Sequence, residues 1–379
     1  MERIYLDHAS TTPIDKGVLE KMLPYLTDVY GNADSPHAVG RKAMSAVDTA
    51  RDGVARLLGA KPSEIYFTSG GTESDNWAII GGALAKKKEG RNKVILSSIE
   101  HHACLFAGER LEKEGFTVVY LPVNEGGRVE INALKSVMDE SVALVCIMMA
   151  NNETGVIQKT KELCEIAHSY GAYFFADGVQ YAPHKRIDVK DLGVDMLSLS
   201  AHKFYGPKGC GALYIKNGVK VEKLVGGGEQ ERGLRGGTLN VASIVGLYEA
   251  YKKTVEEISI REEKLQRLKG LFLEQLKGLE GVSINGAEET LPALINIRFR
   301  GVDNATLLYA MDMQGVCLSA GSACASASVK PSHVLTAMGL TEEEAKESVR
   351  ISFGKENTEE EAIFAGKLLS SEVKRLRNG

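Results

Sequence analysis

Two residues of this chain have the types and spacing for chemistry on an amino group. Lys203 stands in Ser198-Leu199-Ser200-Ala201-His202-Lys203-Phe204-Tyr205-Gly206-Pro207, where a short apolar run breaks into hydroxyl, imidazole and amine groups before a Gly-Pro turn. A lysine just past a buried strand can lie in a cleft, and burial there favours the neutral amine. Only that form attacks a carbonyl to give a Schiff base. Asp177 closes the apolar run Tyr173-Phe174-Phe175-Ala176-Asp177, 26 residues earlier, with a charge that is costly to bury unpaired. A pyridoxal-phosphate site needs both: an amine for the Schiff base and a carboxylate to keep the ring nitrogen protonated. Alone, Lys203 is one of 46 lysines and arginines, and Asp177 could be a helix N-cap. Asp at one strand end and Ser-x-His-Lys at the next is a much rarer pairing.

With these two segments the chain resembles the class I cysteine desulfurases of the NifS/IscS type. These are pyridoxal-phosphate enzymes of fold-type I, in the class-V aminotransferase family. Tyr5-Leu6-Asp7-His8-Ala9-Ser10-Thr11-Thr12-Pro13 is similar to that family's Asp-x-Ala-x-Thr-Thr-Pro segment, and Pro13 is expected at the first position of a helix. Gly31-Asn32-Ala33-Asp34-Ser35-Pro36-His37 departs from the usual Asn-Pro-Ser-Ser-x-His at Ala33 and Asp34, so substrate-entry contacts are not carried over there.

The cofactor's other contacts fall after further strand-like runs. Ser69-Gly70-Gly71-Thr72-Glu73-Ser74 opens a helix, where exposed N–H groups and the helix dipole favour an anion; Gly71 and Thr72 are assigned to the phosphate. An ordinary Ser/Thr cap with a Glu behind it is the plainer alternative for that turn. Ser200 and His202 are assigned to the cofactor with Lys203. The resemblance picks out His101 in Glu100-His101-His102 as the imidazole that stacks on the ring and moves protons, with His102 solvated or peripheral. It also implies that Asn152 and Gln180 bond the phenolic-oxygen region of the ring. In Gly226-Gly227-Gly228-Glu229-Gln230-Glu231-Arg232-Gly233-Leu234-Arg235-Gly236-Gly237-Thr238, glycines let backbone approach a ligand closely. The resemblance implies that this loop crosses a homodimer interface, with Thr238 reaching the partner's phosphate; Gly236 replaces a more usual Ser.

The sulfur chemistry points to Cys324. It lies in Leu318-Ser319-Ala320-Gly321-Ser322-Ala323-Cys324-Ala325-Ser326-Ala327-Ser328, a run of small residues with little to bury, which is expected to form a mobile loop. Thiolate reactivity needs access, so Cys324 is the expected nucleophile, and Cys317, within a strand-like run, is read as structural. The Ser-Ala-Cys loop is the feature that most separates this chain from aminotransferases. Arg350, in Ser348-Val349-Arg350-Ile351-Ser352, suits two-pronged binding of a carboxylate, and the resemblance gives it the substrate α-carboxylate, with Asn152 beside it. The implied reaction converts L-cysteine to L-alanine. Lys203 removes the α-proton, His101 assists proton transfer, and Cys324 receives sulfur as a persulfide. A sulfur-acceptor protein such as an iron–sulfur scaffold, or one serving tRNA thiolation, then takes the sulfur on. A selenocysteine lyase, an aminotransferase and, in another class, a non-catalytic sulfur-carrier protein are the alternatives.

The elements that must position these groups follow from the apolar pattern. Runs at 65–68, 93–96, 117–121, 142–149, 173–176, 196–200 and 211–215 read as strands, separated mostly by helices near 72–89, 101–114, 131–139 and 159–170. Such alternation predicts an α/β fold with a mostly parallel seven-stranded sheet, covered on both faces, with ligands at the carboxyl ends of its strands. A helix over 38–58 stops at Gly59, and two helical stretches fill 240–279. Strand-like runs at 293–299, 316–319 and 348–352, with helices near 303–314, 331–339 and 358–376, predict a smaller α+β domain. The expected division is a large cofactor-binding domain over 15–250, with 1–14 and 251–379 forming the small domain that carries loop 318–328.

Composition agrees. At 379 residues, 44% hydrophobic and 25% charged, the chain suits a two-domain globular enzyme. A net charge of −4 gives no electrostatic footprint for nucleic acid. No membrane-length apolar run occurs, and residues 1–7 lack the apolar core of a signal peptide, so a cytoplasmic enzyme is expected. Cysteines at 104, 146, 164, 210, 317 and 324 form no C-x-x-C pair and no zinc spacing, so no metal is expected.

Overall fold

The computed structural model describes residues 3–321 and 331–378. Cys324 and the remainder of the expected nucleophile loop beyond Gly321 lie outside the described residues. Strands are numbered along the chain. β1 (Ile4–Tyr5) lies apart from the main sheet. That sheet contains β2 (Ile65–Thr68), β3 (Lys93–Ser97), β4 (Thr117–Leu121), β5 (Val142–Cys146), β6 (Tyr173–Asp177), β7 (Met196–Ser200) and β8 (Gly211–Ile215). All seven expected runs are present, in the order β2-β8-β7-β6-β5-β3-β4. Only β8 runs against its neighbours; every other adjacent pair is parallel.

β5, β7 and β8 are buried at every residue, which explains their unbroken apolar runs: helices cover both faces of a parallel sheet. At the carboxyl ends of β2, β3, β5, β6 and β7 the chain turns out at Ser69–Gly71, Glu100–His101, Asn151–Asn152, Asp177 and Ala201–Lys203. These five turns share one edge of the sheet, which is where a parallel α/β fold leaves a crevice. Gly211 makes the first of them fit. A Cβ there would stand 2.7 Å from the Gly70 backbone, and Gly70 itself has φ +151°.

A second core lies under two small sheets. β9 (Val282–Ile284), β10 (Leu294–Phe299) and β12 (Ser348–Ser352) are antiparallel in the order β12-β10-β9, while β1 pairs in parallel with β11 (Val316–Cys317). Leu6, Phe272, Ile297, Phe299, Met311, Val349, Phe353 and Leu369 pack together there.

Several elements differ from expectation. The two helical stretches over 240–279 are one 34-residue helix, Val241–Glu274, which joins the cores: Ile244, Leu247 and Tyr251 pack in the first, Leu265, Leu268 and Phe272 in the second. Pro13 does not begin a helix; Asp15 caps Lys16–Met22 by accepting the Gly17 N–H at 2.9 Å. The helical run over 71–87 contains a π turn, Trp77–Gly81, between Gly71–Asn76 and Gly82–Lys87. Glu222 holds that wide turn, accepting from Trp77 Nε1 at 3.0 Å and donating its N–H to the Gly81 carbonyl at 3.0 Å. No helix among the described residues is long and apolar enough to cross a membrane.

Candidate active site

The turns at the sheet edge line one common cleft. Gly71, Thr72, His101, Asn152, Asp177, Gln180, Ser200, His202, Lys203 and Arg350 all line it. Residues from Gly71 to Arg350 are therefore brought together. Thr238 is the exception: it is exposed on its loop and not among the residues lining the cleft of its own chain.

Lys203 follows β7 on a short 3-10 turn, Ala201–Lys203. Its Nζ donates to the carbonyls of Ala9 at 2.6 Å and Ser10 at 2.9 Å. The same N-terminal segment is tied to that turn through the Thr12 N–H and the His202 carbonyl, 2.9 Å apart. His202 Nδ1 lies 3.1 Å from the Thr11 hydroxyl, and burial lowers its pKa to about 4. His101 caps the helix His102–Lys113: its Nδ1 accepts the Ala103 N–H at 3.2 Å, which leaves the neutral ring's proton on Nε2. Loss of water lowers its pKa to about 4, and positive charge on Lys203, His102 and His333 acts in the same direction. His101 is thus an uncharged donor at neutral pH.

Asp177, at the end of β6, is buried; its Oδ1 accepts the Val179 N–H at 2.9 Å and the Ser198 hydroxyl at 3.4 Å. Burial raises its pKa, while the Val179 N–H, Lys203 and Ser198 pull the other way. A cationic N–H entering the cleft would favour the ionised carboxylate. Gln180 Oε1 is also buried, without a hydrogen-bond partner among the described residues. A protonated pyridine ring suits Asp177, the Gln180 amide suits the ring's phenolic oxygen once its NH2 is turned to the cleft, and Gly70–Gly71 gives the phosphate an open helix start. The donor set therefore fits pyridoxal phosphate.

In the turn after β5, Asn151 shapes the backbone: its Oδ1 accepts the N–H groups of Glu153 and Thr154 at 2.9 and 3.0 Å. That leaves Asn152 half-buried against the cleft, its carbonyl accepting Arg350 Nη1 at 2.9 Å. Arg350, 1% exposed on β12, also binds Asp7 and Ser10. Gly321 and Ser332, on either side of 322–330, both meet Glu153, next in sequence to Asn152: a Cβ on Gly321 would lie 2.6 Å from Glu153 Oε2, and the Ser332 hydroxyl donates to the same oxygen.

Sequence reading missed Asp75, Met148, Val179, Ala9 and Ser10 in the cleft lining, and Asp7 behind Arg350. Asp75 sits in Thr72-Glu73-Ser74-Asp75, which reads as a solvated polar cap. Ala9 and Ser10 act through backbone carbonyls, for which side-chain type gives no signal. Buried Glu100 was also missed; its Oε1 accepts from Ser97 Oγ at 2.6 Å and the Met148 N–H at 2.8 Å, and burial raises its pKa to about 8.

Residues 4–363 match the aminotransferase class-V family. The chain is 46% identical over 380 residues to the cysteine desulfurase IscS of Clostridium botulinum (strain Hall), covering 99% of this chain and 96% of that protein. It is 47% identical to the putative cysteine desulfurase IscS 1 of Bacillus subtilis (strain 168), covering 99% and 100%. A solved NifS-like protein superposes with a TM-score of 0.92 at 37% identity, covering 98% of this chain and all of that one (100%).

Proposed function

The chain belongs to the class-V aminotransferase family, and from that premise we propose that it is a pyridoxal-phosphate-dependent cysteine desulfurase. The observation that carries this reading is the convergence of Lys203, Asp177 and Arg350 on one cleft. Pyridoxal phosphate, when bound, supplies a carbonyl for an amine and an electron-poor ring that draws charge from the substrate carbon. Asp177 would hold its ring nitrogen, Gly71 and Thr72 its phosphate with Ser200 and His202 nearby, Asn152 and Gln180 its phenolic oxygen, and His101 its face.

Arg350 holds the α-carboxylate of L-cysteine, with Asn152 beside it. Lys203 takes the proton from the α-carbon, and His101, with its proton on Nε2, serves proton transfer at the edge of the cleft. The Cys324 thiolate receives the substrate sulfur. In net terms the substrate C–S bond breaks, an S–S bond forms on Cys324, and cysteine plus thiol become alanine plus persulfide. The persulfide sulfur passes to an acceptor protein, such as an iron–sulfur scaffold.

We place the enzyme in the cytoplasm as a homodimer, each cleft completed by the partner's Thr238. The exposed position of Thr238 and its absence from the lining of its own chain's cleft support that arrangement. Incubation with cysteine and a reductant tests the function: sulfide and alanine should form in equal amounts. Alanine without sulfide, or neither product with pyridoxal phosphate present, would remove the proposal.

A further inference from the structure

Asp75 is a second carboxyl facing the cofactor cleft, and no step of the proposed reaction uses it. It lies on the helix Gly71–Asn76, is 2% exposed and lines the cleft with Asp177. A carboxyl oxygen of Asp75, one of Asp177 and the Cys104 Sγ all lie within 4.8 Å of one another. The Ser198 hydroxyl on β7 stands between the carboxyls, bonded to Asp177 Oδ1 at 3.4 Å and also facing Asp75. Asp75 Oδ1 is buried without a hydrogen-bond partner among the described residues.

The other titratable groups packed around the pair are Glu100 after β3, Cys104 on the helix His102–Lys113 and Cys146 at the end of β5, all buried. Lys203 contributes positive charge, and it acts on Asp177. Two carboxyls this close in a site shielded from water do not both ionise. Asp177 is the member fitted to hold the charge, because its Oδ1 accepts the Val179 N–H and Lys203 favours it, whereas the Ser198 hydroxyl serves both carboxyls.

We propose that Asp75 is a positioning residue, held protonated and uncharged so that the negative charge of the pair rests on Asp177, where the cofactor's ring nitrogen would meet it. The proposal rests on the pyridoxal-phosphate reading of the cleft. Burial and the Asp177 charge support it by pushing the Asp75 pKa well above the ordinary carboxylate range.

The test begins with the apoprotein, whose thermal stability is followed from pH 4 to pH 7 for wild type and Asp75→Asn. Folded wild type keeps a proton that its unfolded chain releases above about pH 4, so this residue withdraws stability as pH rises. Asn has no proton to lose, and the melting temperature of the variant relative to wild type should climb by roughly several degrees across that range. Asp75→Leu, equally unable to titrate, should show the same climb and guards against a packing fault specific to Asn. A pH-independent difference in both variants overturns the proposal. The second arm titrates pyridoxal phosphate into the apoproteins. Asp75→Asn should bind within about threefold of wild type, and a loss above about tenfold would mean the charge of Asp75 is needed. Wild type failing to bind pyridoxal phosphate would sink the cofactor reading, while the apoprotein arm still decides whether the Asp75–Asp177 pair keeps a proton.

Discussion

Arg350 on β12 is bound to Asp7 in the N-terminal segment, with Nη2 at 2.7 Å from Asp7 Oδ1. The same nitrogen donates to the Ser10 hydroxyl at 2.6 Å, and Nη1 donates to the Asn152 carbonyl at 2.9 Å. The guanidinium is therefore oriented before substrate arrives, and a lysine's single nitrogen cannot reproduce the planar fork of Nη1 and Nη2. Arg350→Lys should raise KM for cysteine by about 10–100-fold with a smaller change in kcat. Asp7→Asn should give a weaker shift of the same kind. Steady-state kinetics check this, and an unchanged KM for Arg350→Lys would remove Arg350 from the carboxylate site.

His101→Asn keeps an N-cap for the helix His102–Lys113 but removes the buried imidazole. The His101 pKa falls from about 6.5 unfolded to about 4 folded, so the fold refuses a proton that the unfolded chain accepts. Its contribution is full above pH 6.5 and is lost as pH falls towards 4. Melts of the apoprotein should therefore show the variant gaining on wild type across that window, with a constant difference above it. Turnover at neutral pH should drop by about 10²-fold. A difference that grows on the alkaline side instead would contradict the assignment.

Arg51 and Glu231 form a buried two-pronged ion pair, at 2.8 and 2.7 Å, and Glu231 also accepts the Phe67 N–H at 3.0 Å. These contacts hold Glu231 and Arg232 at φ +47° and +59° in the Gly-rich loop, a conformation non-glycine residues rarely adopt. Glu231→Ala leaves Arg51 buried without its carboxylate and should cost about 3–5 kcal/mol in denaturant unfolding. A cost below about 1 kcal/mol would show that the loop does not depend on this pair.

The homodimer has its own test. Sizing should give about twice the 41.0 kDa chain mass. Thr238→Val should weaken cofactor binding, and Lys203→Ala should abolish turnover. Mixed dimers of these two variants contain one site with an intact Lys203 and the partner's intact Thr238, so mixing should restore activity. A mixture that, at limiting pyridoxal phosphate and after subunit exchange, is no more active than the Thr238→Val parent alone would rule out the shared site.

What was readable in the sequence follows from how each group is used. Burial made β5 legible as a run apolar at every position, while the edge strand β4, buried only at Leu121, was legible from its Val-Val-Tyr-Leu run. Lys203, Asp177 and Arg350 stood out as polar side chains interrupting such runs. β1 has two residues and β9 three, too few for periodicity to show, whereas β11 falls within the expected run 316–319. The helix Val241–Glu274 read as two because its inward face moves from one core to the other near Ile258 and Arg261. Asp75 was hidden for a different reason. A carboxylate one helical turn past Gly71 looks like a solvated cap until β6 and β7 bring Asp177 and Ser198 against it.

The central claim is that substrate sulfur is transferred to Cys324. Of the other cysteines, Cys104, Cys146, Cys164 and Cys210 are buried and Cys317 is half-exposed. The most direct measurement incubates the cofactor-loaded protein with cysteine and no reductant, then maps persulfides by alkylation, digestion and mass spectrometry. The account predicts one extra sulfur on the Cys324 peptide, none on Cys317, and no sulfide or alanine from a Cys324→Ser variant that still binds pyridoxal phosphate. A persulfide on another cysteine, or continued sulfide release by Cys324→Ser, would contradict it.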